Sequence, residues 1–129
     1  MEHIMIVDDQ PFYAAYVAED LEKLGYGVEV VSLAEEVLIR IEETKPDLVL
    51  LDLYLDGFEG FDLLRDIKFR IPHLPVIILS AYDTFRLDPR TEQADGYEIK
   101  DIDTDKLKEK VSVLLKHKPH QDGFQIEAT

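Results

Sequence analysis

The chain has 129 residues, 46% hydrophobic and 33% charged, which suits one domain with a buried core and excludes a disordered chain. Acids outnumber bases 28 to 14, a field that repels nucleic-acid phosphates and anionic membranes, so direct nucleic acid binding by this segment is not expected. Cysteine is absent and no apolar run nears the roughly 20 residues that span a bilayer, which excludes disulfides, thiolate metal sites and a membrane-spanning helix and leaves a cytoplasmic address as the expectation.

At the N-terminus, Met1-Glu2-His3 has no basic segment leading into an apolar one, so no secretory signal is expected. Ile4 to Val7 is a short apolar run ended by Asp8-Asp9. Pro11 suits the first turn of a helix, in which Ala14, Val17, Ala18, Leu21 and Leu24 recur at helical spacing until Gly25 stops it. Val28 to Val31 reads as a second strand. Ser32 and Glu35 have the spacing of a capping box, with Ala34, Val37, Leu38 and Ile41 on one face of the helix that follows. Leu48 to Leu51 is a third strand, ending at Asp52. A turn around Asp56-Gly57 leads to a helix carrying Phe61, Leu64, Ile67 and Ile71. Pro75 opens a fourth strand, Val76 to Leu79, ending at Ser80.

Pro89 breaks any long helix between Ser80 and Gly96, so a short or irregular one is expected there. Gly96 to Ile99 is a fifth strand, ending at Lys100. Asp103 or Thr104 caps a last helix with Leu107, Val111, Leu114 and Leu115 inward. Residues 118–129 show no periodicity and read as a tail or the start of a linker after a domain of residues 1–117.

Strands alternating with helices predict an α/β fold with a parallel sheet. The strands look nearly uniformly apolar, as strands covered on both faces should. Polar residues follow four of them: Asp8 and Asp9, Asp52, Ser80 and Lys100. All would stand at the carboxyl ends of parallel strands, the edge where open α/β sheets bind ligands. With strand order 2-1-3-4-5 the first and third strands are neighbours, and Asp8, Asp9 and Asp52 converge. Converging carboxylates need a cation, and an all-oxygen set points to Mg²⁺ rather than Zn²⁺. Magnesium keeps waters and takes phosphate oxygens, so the site asks for a phosphate, with Ser80 as hydroxyl donor and Lys100 as counter-charge. A carboxylate can itself be the nucleophile and give an acyl phosphate. Taken singly, each residue has a plainer role. Asp8 or Asp9 could cap a helix, Asp52 or Ser80 could serve a turn, Lys100 could be solvated and Tyr97 could pack.

Together these residues resemble the receiver domain of bacterial two-component response regulators, including the chemotaxis-type receivers, over residues 3–117. The resemblance rests on Asp8-Asp9, on Asp52-Leu53-Tyr54-Leu55-Asp56-Gly57-Phe58-Glu59-Gly60, on Ser80-Ala81, and on Ala94-Asp95-Gly96-Tyr97-Glu98-Ile99-Lys100. It implies a flavodoxin-like three-layer fold, with a five-stranded parallel sheet in the order 2-1-3-4-5 and helices on both faces. It implies that Asp52 is the phosphoacceptor, that Asp9 binds Mg²⁺ directly and Asp8 through a water, and that the main-chain carbonyl of Tyr54 is a further ligand. Ser80 and Lys100 would contact the phosphoryl oxygens. Ser80 and Tyr97 would form the switch, the hydroxyl moving inward and Tyr97 following. The donor would be a histidine kinase or phosphotransfer protein. The output would be a downstream protein partner or an output domain beyond this segment. The domain would promote only its own phosphorylation and dephosphorylation and would not be an enzyme in the wider sense.

Three features depart from the family pattern. Asp101 follows Lys100 where proline is usual, which leaves the lysine's orientation less fixed. Asp56 stands where proline is common. The interval from Ser80 to Lys100 is slightly shorter than usual, which unsettles the usual dimer mode. Tyr54 and Tyr82, two residues beyond Asp52 and Ser80, are both large and are expected to shield the acyl phosphate from water. The competing readings are a pseudo-receiver that only binds proteins and a Mg²⁺-dependent phosphatase. The first usually lacks one of the residues present here. The second wants an Asp where Tyr54 stands.

Overall fold

The apolar runs become the strands of one sheet. The computed structural model describes residues 1–55 and 58–116. In chain order the elements are β1 (His3–Val7), α1 (Pro11–Lys23), β2 (Gly27–Val31), α2 (Ala34–Thr44), β3 (Leu48–Leu51), β4 (Tyr54–Leu55), β5 (Phe58–Glu59), α3 (Gly60–Arg70), β6 (Val76–Ser80), a 3₁₀ helix (Pro89–Gln93), β7 (Gly96–Ile99) and α4 (Asp105–Lys116). The main sheet is five-stranded in the order β2-β1-β3-β6-β7, and every pairing in it is parallel. Counted among these strands alone, that is the expected order 2-1-3-4-5. The expected turn at Asp56-Gly57 and the expected tail or linker at 118–129 lie outside the described residues.

Side-chain alternation splits the core into two layers. Met5, Val7, Val49, Leu51, Val76 and Ile78 pack with α2 and α3 on one face. Ile4, Ile6, Leu48, Leu50, Ile77 and Leu79 pack with α1 and α4 on the other. Helices therefore cover both faces of the sheet. The inner strands β1, β3 and β6 are almost wholly buried, whereas the edge strands β2 and β7 are largely half-exposed. Uniform burial thus holds only for strands with a neighbour on each side. β7 is further opened because no α-helix runs between Ser80 and Gly96.

That connection is irregular, as Pro89 requires: Pro89 opens a 3₁₀ helix capped by the Asp88 side chain. Aromatic rings hold it instead. Tyr54 lies 5.5 Å from both Tyr82 and Phe85, and Phe61 lies 5.9 Å from Phe85, all edge-to-face. The Arg90 guanidinium stands 4.0 Å over Phe61, and that of Arg86 stands 4.9 Å over Tyr97.

Local signals mostly act as expected. Pro11 is the first residue of α1, and Gly25 takes the left-handed φ of 96° just beyond it. Leu24 is the exception, lying past the helix and exposed. The capping box of Ser32 and Glu35 does not form. Leu33 occupies the N-cap of α2 and makes no side-chain bond, so Ser32 lies one residue too early to cap. At α4, Asp103 Oδ1 accepts from the N–H of Asp105, while the Thr104 hydroxyl turns to Asp20 instead, donating to Oδ2 at 2.6 Å.

Candidate functional site

Parallel pairing brings the strand ends to one edge. The Asp52 N–H donates to the Val7 carbonyl at 2.9 Å, which ties the end of β3 to β1 beside Asp8. The Lys100 N–H donates to the Ser80 carbonyl at 2.8 Å, which ties the end of β7 to β6. Gly60 completes the edge. A Cβ there would lie 2.5 Å from Leu53 Cα and 2.6 Å from the Asp52 carbonyl oxygen, so only glycine lets α3 begin so close to the strand end.

The carboxylates of Asp8, Asp9 and Asp52 each bring an oxygen within 4.8 Å of the others. Asp8 and Asp52 are buried, at 2% and 5% exposure. Each carboxylate is aimed by a main-chain donor: the Gln10 N–H to Asp8 Oδ1 at 2.8 Å and the Tyr54 N–H to Asp52 Oδ1 at 3.0 Å. Lys100 Nζ stands 2.8 Å from Asp8 Oδ2, 3.0 Å from Asp52 Oδ2 and 2.7 Å from Gln10 Oε1. Those contacts use all three of its donors. No peptide bond among the described residues is cis, and Lys100 still reaches both carboxylates with Asp101 after it.

Burial pushes the Asp52 carboxyl above its ordinary range, and the charge of Asp8 adds to this; the Tyr54 N–H and Lys100 oppose it without cancelling it. Burial pulls the Lys100 ammonium down, but Asp8 and Asp52 outweigh it and hold the group above its usual value. The site is thus an ammonium shared between acids that crowd one another.

Ser80 is fully buried, and its Oγ accepts from the Tyr82 N–H at 3.1 Å. The Tyr97 hydroxyl donates to the Tyr82 carbonyl at 2.6 Å. Both expected switch residues therefore bear on one main-chain segment. A cleft of about 360 Å³ opens over Asp52, lined by Gln10, Tyr54, Ala81, Tyr82, Thr84 and Lys100. Tyr54 and Tyr82 are half-exposed on its rim. The sequence reading missed Gln10. Its one signal was its place directly after Asp8-Asp9, at the turn into α1.

An all-oxygen set of converging carboxylates fits a hard divalent cation such as Mg²⁺. The arrangement combines three converging carboxylates, a buried hydroxyl and an ammonium held by two of the acids around one opening. No helix among the described residues is long and apolar enough to cross a membrane.

The family model for the response regulator receiver domain matches residues 4–112. The two-component response regulator PhoP of Pseudomonas aeruginosa is 29% identical over 127 residues, covering 97% of this chain and 56% of PhoP. The chain spans about half the length of the curated relatives it matches. Among solved structures, the response regulator TrrA of Thermotoga maritima in complex with Mg²⁺-BeF matches with a TM-score of 0.85 at 33% identity, covering 88% of this chain and 99% of that one. TrrA in complex with the histidine kinase ThkA matches with a TM-score of 0.84 at 34% identity, covering 89% and 99%.

Proposed function

The chain belongs to the response regulator receiver domain family, and from that premise we propose that Asp52 accepts a phosphoryl group in a Mg²⁺-dependent reaction and that the domain works as a phosphorylation switch. The observation that carries this reading is the sharing of Lys100 between buried Asp8 and Asp52, beside Asp9 and under an open cleft.

An Asp52 oxygen attacks phosphorus, the O–P bond forms, and the N–P bond of a phosphohistidine breaks, leaving a neutral imidazole once that ring is protonated. Asp8, Asp9, Asp52 and the main-chain carbonyl of Tyr54 are the groups that would hold Mg²⁺. Bound there, the ion offsets negative charge on the phosphoryl oxygens. Lys100 exchanges its bond to Asp52 Oδ2 for one to a phosphoryl oxygen. Ser80 turns its hydroxyl toward the phosphoryl group, releasing the Tyr82 N–H. Because Tyr97 is bonded to the Tyr82 carbonyl, the same segment carries the change to the surface. Tyr54 and Tyr82 shield the acyl phosphate from water, which sets its lifetime.

Several features support the wider reading. The donor is a histidine kinase or phosphotransfer protein, in keeping with the kinase complex formed by TrrA. The output is a downstream protein partner or an output domain in a longer protein, in keeping with relatives about twice this length. We take residues 1–117 as the receiver and 118–129 as a tail or linker. Direct nucleic acid binding by this segment is disfavoured by its net charge of −14. A cytoplasmic location fits a chain without cysteine. Tyr54 stands where phosphatases place a second Asp, so the domain acts on its own phosphate and not as an enzyme on a separate substrate.

The test is intact mass after incubation with a small phosphodonor and Mg²⁺. One added phosphoryl group, lost with chelator and in Asp52→Asn, is the expected result. No added mass under saturating donor refutes the switch.

A further inference from the structure

One face of α1 is bonded to the loop that follows Lys100. Tyr13, Tyr16 and Asp20 follow one another at helical spacing on that face. The Tyr13 hydroxyl donates to the Asp101 carbonyl and accepts from the Asp101 N–H, both at 3.0 Å. The Tyr16 hydroxyl donates to the Ile102 carbonyl at 2.6 Å, and Asp20 accepts from the Thr104 hydroxyl at 2.6 Å. Tyr13 differs from the other two in also facing the reacting site. Its ring centroid lies 5.3 Å from Lys100 Nζ.

We propose that Tyr13 is a positioning residue for Lys100, its hydroxyl fixing the main chain of the next residue while its ring lies beside the ammonium. This rests on the reading of Asp52 and Lys100 given above and deepens it. Lys100 directly follows an edge strand that is half-exposed along its length. Its N–H is held by Ser80, but past that point the chain leaves the sheet. The next fixed point is Asp101, and Tyr13 holds both of its main-chain groups. A long, flexible lysine keeps three contacts at one place only if its base cannot swing. Tyr13 also lies on the turn of α1 that follows Asp8 and Asp9. One helix start thus places the acids on one side of the site and the cation on the other. Burial raises the Tyr13 hydroxyl above the usual phenol range, which keeps it protonated and able to donate.

Tyr13→Phe keeps the ring and removes both bonds to Asp101. Those bonds are exposed, so water replaces them and the fold survives. Phosphorylation of Asp52 by a small phosphodonor in saturating Mg²⁺ is expected to slow about tenfold, the order expected for losing one or two such bonds. Mg²⁺ affinity, measured by calorimetry on the unphosphorylated chain, is expected not to weaken. The Lys100 ammonium resonance in ¹⁵N spectra is expected to broaden, because its solvent exchange quickens. Tyr26→Phe removes a hydroxyl just before β2, at the opposite edge of the sheet from the carboxyl ends of the strands, and is expected to change neither readout. An unchanged Lys100 resonance in Tyr13→Phe overturns the proposal, even if the rate falls. So does an unchanged rate in a wild-type background that does take phosphate. If the wild-type chain takes no phosphate, the switch reading fails by itself, and the Lys100 resonance still decides the role of Tyr13.

Discussion

Replacing Lys100 by methionine keeps an unbranched side chain and removes its charge. In the structure that charge lies 2.8 Å from Asp8 Oδ2 and 3.0 Å from Asp52 Oδ2, with 7% of the lysine side chain exposed. Deleting one partner of a buried pair costs about 3–5 kcal/mol, because the remaining charge stays buried without compensation. Here two acids lose the same cation. Against a domain stability of roughly 5–15 kcal/mol, a loss of that size takes about a third or more of the folding free energy. A divalent cation offers the acids a second source of positive charge. A ligand at a hundred times its dissociation constant adds about 2.7 kcal/mol to the folded state. The variant gains more from it than wild type, since no ammonium repels the ion. Urea unfolding at neutral pH, in chelator and in saturating Mg²⁺, measures both losses. The loss in chelator is expected near the upper figure and to shrink by about half with Mg²⁺. Equal losses in the two conditions would refute the idea that Lys100 and the metal answer the same crowded charge.

Other perturbations test separate parts of the account. Gly60→Ala forces a Cβ against Leu53 and the Asp52 carbonyl, and is expected to cost about 1–3 kcal/mol, seen as a lower melting temperature; an unchanged melt would show that α3 can shift freely. Replacing Tyr54 and Tyr82 together by asparagine should shorten the acyl-phosphate lifetime, followed by the decay of the added mass. If the lifetime does not change, their rings are not a water barrier. Asp52 has a raised pKa in the folded state, so it adds stability only below the ordinary Asp value of ~3.9, and this is lost as pH rises through the folded value. Asp52→Asn in chelator should therefore be more stable than wild type at neutral pH, with the gain fading in acid. A variant less stable at neutral pH would contradict that sign.

Much of the fold was legible because the sequence writes it locally. Ile4 to Val7 and Leu48 to Leu51 are unbroken apolar runs, and both became inner strands. Pro11 and Gly25 bound α1 through backbone preferences that need no partner. The edge chemistry was legible for a related reason. Asp8, Asp9, Asp52 and Lys100 follow strands and Ser80 ends one, and parallel pairing alone gathers strand ends. What escaped depends on distant contacts or on a shift of one residue. Ser32 has capping-box spacing, but the helix starts after Leu33 and the box is out of register. The exposure of β2 and β7 follows from their places at the sheet margins, which their own residues do not encode. Tyr13 shows its role only once Asp101, 88 positions later, meets its hydroxyl. Gln10 shows its contact only once Lys100, 90 positions on, reaches across the sheet edge.

The irregular span between β6 and the 3₁₀ helix has a consequence for local unfolding. A helix there would carry a ladder of backbone bonds and would tend to open cooperatively. This span has only isolated turn bonds, Arg86 N–H to the Asp83 carbonyl and Asp88 N–H to the Phe85 carbonyl, and otherwise hangs on separate contacts: Tyr54 against Tyr82 and Phe85, Arg86 over Tyr97, and the Tyr97 hydroxyl on the Tyr82 carbonyl. Each contact is worth about 1 kcal/mol and can break without the next. Opening should therefore be graded from residue to residue, with amide exchange fastest near exposed Leu87 and slowing toward buried Ser80.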